Sequence, residues 1–361
     1  ARVGAYESLL CGVGRVWEHY YGGIELARGI ADAGLGAVVA PTLQDLGGPG
    51  AASLEAALEA TSAIASDAAL RASGVHAALG PHASDTVSES LWRRVFELAG
   101  TLGLPVHAHL AQSREEWQRC QQSRGCSPVR WLSDMGLLTE PAELRMAHLV
   151  FASSADLALL NPARHLPVFC PWSQLQFAFA ADPLRWQAAG LDWLVATDCG
   201  ASSDSMSVVG DLRLTGAMHG LACTFSDAYG QFAEGAVDRL EELEKLRARG
   251  LEAASGALSP DALLGRVWSL AGRGGPHLPT AGSIRVGAEA SLISFDPDHP
   301  ALWPCRDPSR ALVMGDATAA IDGMLLRGQW VGERGRYRES LLQDGAYKEA
   351  LAEAEHWLTL L

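Results

Sequence analysis

The chain has 361 residues, of which 48% are hydrophobic and 19% charged, and a formal charge of −14. That composition fits a globular protein with a large buried core. The acidic balance argues against nucleic acid and anionic membrane surfaces, both of which need a clustered positive field. No apolar run reaches the ~18–20 residues of a membrane span, and Ala1–Glu7 carries no apolar signal region.

Taken in chain order, short β-branched-rich runs alternate with longer helical patterns. The runs are 14–17, 35–41, 74–80, 104–110, 144–150, 166–170 and 191–196. The helical patterns between them are 24–33, 53–70, 88–102, 113–122, 154–160 and 183–189. Ser53 and Ser88 read as N-caps, and Gly34, Gly74, Gly103 and Gly190 stand where helices should stop. Strand–helix repetition of this kind predicts parallel βαβ units. Nearly every run ends in chemically capable residues: Glu18-His19, Gln44-Asp45, His82, His109 to Gln112, His148, Ser173 and Asp198. A (β/α)8 TIM barrel gathers its site from many strand ends, whereas a doubly wound sheet uses one switch point. The barrel is therefore expected. Seven strands are visible, and the missing first one is expected to precede residue 1.

Beyond Asp198 the reading is helix-rich over 205–273, with an amphipathic helix at 238–249 stopped by Gly250. Short strands then follow at 283–286, 290–295, 311–314, 323–327 and 329–331, read as a small β-sandwich. The region 341–361 reads as a terminal helix with an apolar stripe, which permits a homodimer. The expected division is a barrel over 1–275, the β-sandwich over 276–335 and the packing helix over 336–361. Seven cysteines without a CxxC pair read as reduced thiols, so a cytoplasmic location is expected.

The run Pro105 to Gln112 places His107 and His109 two residues apart, hence on one face of a strand. Two neutral imidazoles on one face suit either a metal or a hydrogen-bonded core. His148 ends the next run. Asp198 follows Thr197 and suits either a helix N-cap or a ligand. His82 sits in Gly80-Pro81-His82-Ala83. His19 follows Trp17-Glu18 and, taken alone, reads as structural.

In this order and spacing the sequence resembles the amidohydrolase superfamily, in particular its cytosine/guanine deaminase and chlorohydrolase-like branch. The resemblance rests on Gly80 to Ala83, Pro105 to Gln112, Ala147-His148, Cys170 to Gln174, Ala196 to Asp198 and Ala281 to Ala290. It implies a metal-dependent hydrolase with one divalent ion, zinc expected and iron the second choice. Such an enzyme attacks a C–N or C–Cl bond of a small heterocyclic substrate with metal-activated water. His109 and Asp198 would be metal ligands, Asp198 would also take the water's proton, and His148 would polarise the group under attack. His82, Trp172, Ser173 and His107 would contact the substrate.

Two departures bear on activity. The family's strand-one His-x-His pair has no counterpart here. His107 cannot fill that role, because it stands only 91 residues before Asp198, too few for a whole barrel of ~250. Gln112 stands where family deaminases carry a proton-shuttling Glu, and an amide cannot do acid–base work. These departures leave an alternative of another class, a metal-free relative that only binds a small ligand. The two lysines, Lys245 and Lys348, lie away from strand ends. That argues against a carboxylated-lysine metal bridge and against Schiff-base chemistry. No G-x-S-x-G elbow or P-loop is present.

Overall fold

A computed structural model describes residues 1–273 and 278–359, with the side chains of residues 219 and 358 outside the description. The expected boundary at 275/276 and the last two residues of the expected terminal helix lie outside the described residues. The strands are β1 (Arg15–Tyr20), β2 (Gly36–Leu43), β3 (Val75–Ala77), β4 (Gly80–Pro81), β5 (Val106–Leu110), β6 (Leu144–His148), β7 (His165–Phe169) and β8 (Leu194–Val195). β1 pairs with β2, and β2 with both β3 and β4, all in parallel. A parallel bridge from Leu79 to Val106 carries this wall on to β5, and β5-β6-β7-β8 continue in order. β3 and β4 share one position in the wall, because both pair with β2. The seven expected runs are thus seven neighbouring positions in a parallel α/β wall, as a barrel requires.

The run at 74–80 breaks at its end for a steric reason. A Cβ on Gly80 would sit 2.6 Å from the Pro41 carbonyl oxygen, so only glycine lets the two backbones approach there. β1 runs further than the sequence reading gave it, which puts Glu18 and His19 inside the strand.

Alternation along the strands separates two packing layers. Val106, Ala108, Leu110, Leu144 and Met146 join the large core under the helices. The opposite faces form their own interior. Leu166, Val168, Cys170 and Leu194 cluster on one side, and Val38, Ala40 and Ala78 pack with Trp17 on the other. Deep in this interior Arg145 is only 2% exposed. Its guanidinium lies 3.4 Å over the Trp17 ring, and its Nε donates to Glu143 at 2.9 Å. The buried charge is thus both paired and stacked on an aromatic face.

Several local expectations change. Ser88 caps its helix by accepting from the Leu91 N–H, but Ser53 makes no side-chain cap bond. The stretch read as one helix over 53–70 is two, Leu54–Ser66 and Ala68–Ala72, because the Asp67 side chain caps the second by accepting from the Ala69 and Leu70 N–H groups. The amphipathic helix runs through Gly250 to Ser255 and ends at Gly256. The stretch at 311–314 is not a strand but lies in the helix Pro308–Met314, started by Asp307 and Pro308. Residues 283–286 form no strand either; Ile284 and Val286 are fully exposed. Where a sandwich was expected, the described residues hold one three-stranded antiparallel sheet. It contains β9 (Leu292–Phe295), β10 (Ile321–Leu326) and β11 (Gln329–Val331). The terminal helix breaks at Asp344 into Tyr337–Gln343 and Gly345–Leu358. Its second part packs on an unanticipated helix, Arg2–Leu10, through Tyr6 on Tyr347 and Arg2 on Glu349 and Glu353.

Candidate active site at the barrel mouth

Three strands, β5, β6 and β8, end in an abrupt backbone reversal at the mouth. Ala111, His148, Leu149 and Asp198 all have positive φ, at 50°, 76°, 44° and 67°. No β-branched residue is among them, and none is glycine. Such backbone is costly for L-residues, at about 1–3 kcal/mol each, and concentrates at functional sites.

The histidines converge. His109 from β5 stacks on His148 from β6 with ring centroids 5.6 Å apart, and lies 5.2 Å from His82. His19 from β1 reaches the same cluster, 4.7 Å from His109 and 5.3 Å from His107. His107 lies a layer deeper, edge-on to Trp17 at 5.8 Å. The structure therefore brings His82, His107, His109 and His148 together and adds His19. The sequence signal for His19 was its place at a strand end; what strand order alone supplies is that β1 faces β5 across the interior.

Hydrogen bonds fix the donors. His109 Nδ1–H donates to the His82 carbonyl at 3.0 Å, which leaves its Nε2 lone pair free. Ser173 Oγ donates to Asp198 Oδ2 at 2.6 Å, and the Cys199 N–H donates to Asp198 Oδ1 at 2.7 Å. His148 Nε2 lies 3.7 Å from Asp198 Oδ2. Among the described residues, both ring nitrogens of His19 and Nδ1 of His107 are buried without a hydrogen-bond partner. Burial pushes His107 down to about 3 and His82 and His109 to about 4, and lowers His148 and His19 as well. The imidazoles are thus neutral at pH 7, the form that ligates metals. Neutral nitrogen donors beside an ionisable carboxylate, some lacking any protein partner, fit a divalent ion of the zinc type.

Ser173 is buried, whereas Trp172 is half exposed on the helix Pro171–Gln176, its backbone N–H donating to Asp211 Oδ1 at 3.2 Å. Burial raises the Asp211 carboxyl to about 6. Gln112 follows the Ala111 reversal, and its backbone N–H donates to Glu116 Oε2 at 2.7 Å. Glu116 was not anticipated as a site residue. It is fully buried and also accepts from Ser84 Oγ at 2.6 Å and the Ala111 N–H at 3.1 Å. It locks the turn that presents Gln112. Glu116→Ala is expected to lower stability by about 3 kcal/mol, since two buried donors and the part-buried Gln112 N–H lose their acceptor at about 1–3 kcal/mol for each buried one. An unchanged denaturant midpoint would remove Glu116 from this role.

The buried histidines also set a pH dependence. Seven of them (His19, His76, His82, His107, His109, His148 and His165) have folded pKa values below the ordinary 6.5. Below pH ~6.5 the unfolded chain binds more protons, so stability is full above that pH and falls toward pH ~4. Glu18, Glu116 and Asp211, all raised by burial, act in the opposite sense and are outnumbered. In chelator, the melting temperature is expected to fall steadily from pH 7 to pH 5. A flat profile would mean that the rings are already solvated.

No family model matches the chain. It is 27% identical over 308 residues to a 5-methylthioadenosine/S-adenosylhomocysteine deaminase of Symbiobacterium thermophilum, covering 84% of this chain and 63% of that protein. Against the enzyme of the same name from Pyrococcus furiosus it is 25% identical, covering 71% and 54%. The chain therefore spans about half to three fifths of the length of the curated relatives it matches. Among solved structures, a zinc-bound adenosine deaminase from Xanthomonas campestris superposes with a TM-score of 0.77 at 20% identity. That match covers 99% of this chain and 73% of that one. A zinc complex of atrazine chlorohydrolase from Arthrobacter aurescens TC1 gives 0.75 at 19%, covering 98% and 75%. The homologues and structural neighbours of this chain are amidohydrolase-superfamily deaminases and chlorohydrolases. The seven-position wall accordingly has the (β/α)8 fold of these neighbours, and the converging strand ends lie at the face where such barrels carry chemistry.

Proposed function

We propose that the protein is a metal-dependent hydrolase that cleaves a C–N or C–Cl bond of a small heterocyclic substrate. The observation that carries this reading is the convergence of His109, His148 and Asp198 from three strand ends, with Asp198 oriented by Ser173. His109 through Nε2 and Asp198 through a carboxylate oxygen would hold the ion, which we take to be zinc. A bound divalent ion supplies Lewis acidity that brings water to a pKa of about 7. The rest belongs to the chain. Asp198, oriented by the Ser173 Oγ–H and the Cys199 N–H, takes the attacking water's proton on a carboxylate oxygen. His148 stays neutral and, through Nε2, orients the ring atom under attack. His82 and Trp172 border the substrate, and the buried His107 closes the floor beneath it.

The names of the relatives and neighbours define the test panel: methylthioadenosine, S-adenosylhomocysteine, adenosine, guanine and atrazine. Zinc-loaded protein expressed from its full reading frame should release ammonia or chloride from at least one of them. Stoichiometric zinc with no release from any would refute the hydrolase reading and favour a ligand-binding relative.

A further inference from the structure

Beyond the ends of β6 and β7 the chain builds an apolar rim. After His148 it turns so that the Phe151 N–H donates to the Ala111 carbonyl at 2.8 Å, next to Gln112. After β7 the helix Pro171–Gln176 ends in a tight reversal. There Ala178 takes φ 60°, and the Phe179 N–H donates to the Gln174 carbonyl at 3.2 Å. Left-handed backbone is costly for a residue other than glycine and persists only where its surroundings hold it. Here two contacts do so. The Phe179 ring stacks on Phe151, with centroids 5.1 Å apart and planes 19° from parallel. The buried Gln174 side chain ties the two turns together, accepting from the Ala181 N–H at 2.9 Å and donating to the His148 carbonyl at 3.4 Å.

This rigid support presents large apolar side chains to solvent. Phe177 and Phe179 are 76% and 59% exposed, and Trp172 is half exposed. Trp172 directly precedes Ser173, whose Oγ holds Asp198, so the patch continues into the site. A contiguous exposed apolar patch marks a binding surface. No Asp, Glu, Lys or Arg occurs over 149–153 or 170–181, so neither segment has a side-chain charge to offer a ligand. We propose that Phe151, Phe179 and Trp172 form a shelf for an apolar arm of the substrate, which selects a heterocycle carrying an uncharged hydrophobic substituent over the same ring with a charged one. The proposal rests on the hydrolase reading above and adds the substituent to it; His148 and Asp198 keep their roles. Aromatic faces take alkyl, aryl and thioether groups well. A charged arm laid on them loses water and gains no partner.

Zinc-loaded protein expressed from its full reading frame tests this on probes that share a ring and differ in the arm. Adenosine, methylthioadenosine and S-adenosylhomocysteine carry a hydroxyl, a thioether and a charged amino acid. Atrazine is compared with the same chlorotriazine lacking its alkyl groups. Michaelis constants are measured where a probe turns over, and competition constants where it does not. On at least one ring the apolar-arm probe is expected to bind about tenfold more tightly than its partners. Phe179→Ala should remove about that factor from the ratio of apolar-arm to bare-ring constants, and Phe179→Tyr should restore it. The melting temperature of each variant is taken alongside.

A folded Phe179→Ala variant that weakens every probe alike, or none, overturns the shelf. A charged arm bound as tightly as the apolar one also overturns it; Arg185, which donates to the Ala152 carbonyl at 3.4 Å, would then be the group that pairs with its carboxylate. So does a dimer that Phe179→Ala dissociates, since the patch would then belong to a second copy. In each of these cases hydrolysis of a bare ring leaves the hydrolase reading standing. A protein that neither binds nor converts any probe overturns both.

Discussion

Asp198→Asn is expected to reduce hydrolysis by at least about 10^3 in kcat, the upper part of the range for a group that moves a proton. The substitution is nearly isosteric. The Cys199 N–H can keep the amide oxygen, while Ser173 Oγ can accept from the amide NH2 and donate to Ser202 Oγ instead, so the reversal at φ 67° should persist and the melting temperature should barely move. What disappears is the negative charge. The amide cannot accept water's proton, and it is a weaker donor to a cation. Metal content should fall together with kcat. A folded Asp198→Asn variant with unchanged kcat would take Asp198 out of the mechanism, whatever its geometry.

Gln112→Glu is expected to raise ammonia release from an amino-substituted ring by about 10^2-fold or more. Ammonia must collect a proton to depart, and the Gln112 amide can supply none at neutral pH. Chloride leaves as an anion and needs none. The variant should therefore shift the ratio of deamination to dechlorination toward deamination. The turn itself should survive, because Gln112 is held through its backbone N–H to Glu116, not through its side chain. An unchanged ratio would show that another group already ferries the proton, with His82, whose ring lies 5.2 Å from that of His109, the first to examine.

What the sequence made legible followed from short-range rules. The period of two placed His107 and His109 on one face, and strand ends rich in polar residues favoured a barrel over a doubly wound sheet. His148, Asp198 and Ser173 were found by their places at those ends. Long-range placement was not legible. Cys170 stands in a recognised stretch, yet nothing local shows that its sulfur comes within 4.8 Å of donor atoms of both His148 and Asp198. Glu116 reads as an ordinary first-turn acid of the helix Arg114–Arg124, which Ser113 caps. Only the fold shows it buried under the Ala111–Gln112 turn. The run 311–314 was misread because a short apolar stretch suits a strand or a helix, and the Asp307-Pro308 start signal upstream decided it.

The most direct test of the central claim is metal content and product release measured on one preparation of protein expressed from its full reading frame. The account predicts one equivalent of zinc or a similar divalent ion per chain, together with ammonia or chloride released from a heterocycle of the panel, both lost on chelation and both restored by zinc. Protein that folds, binds a heterocycle, holds no metal after zinc loading and releases nothing would contradict it.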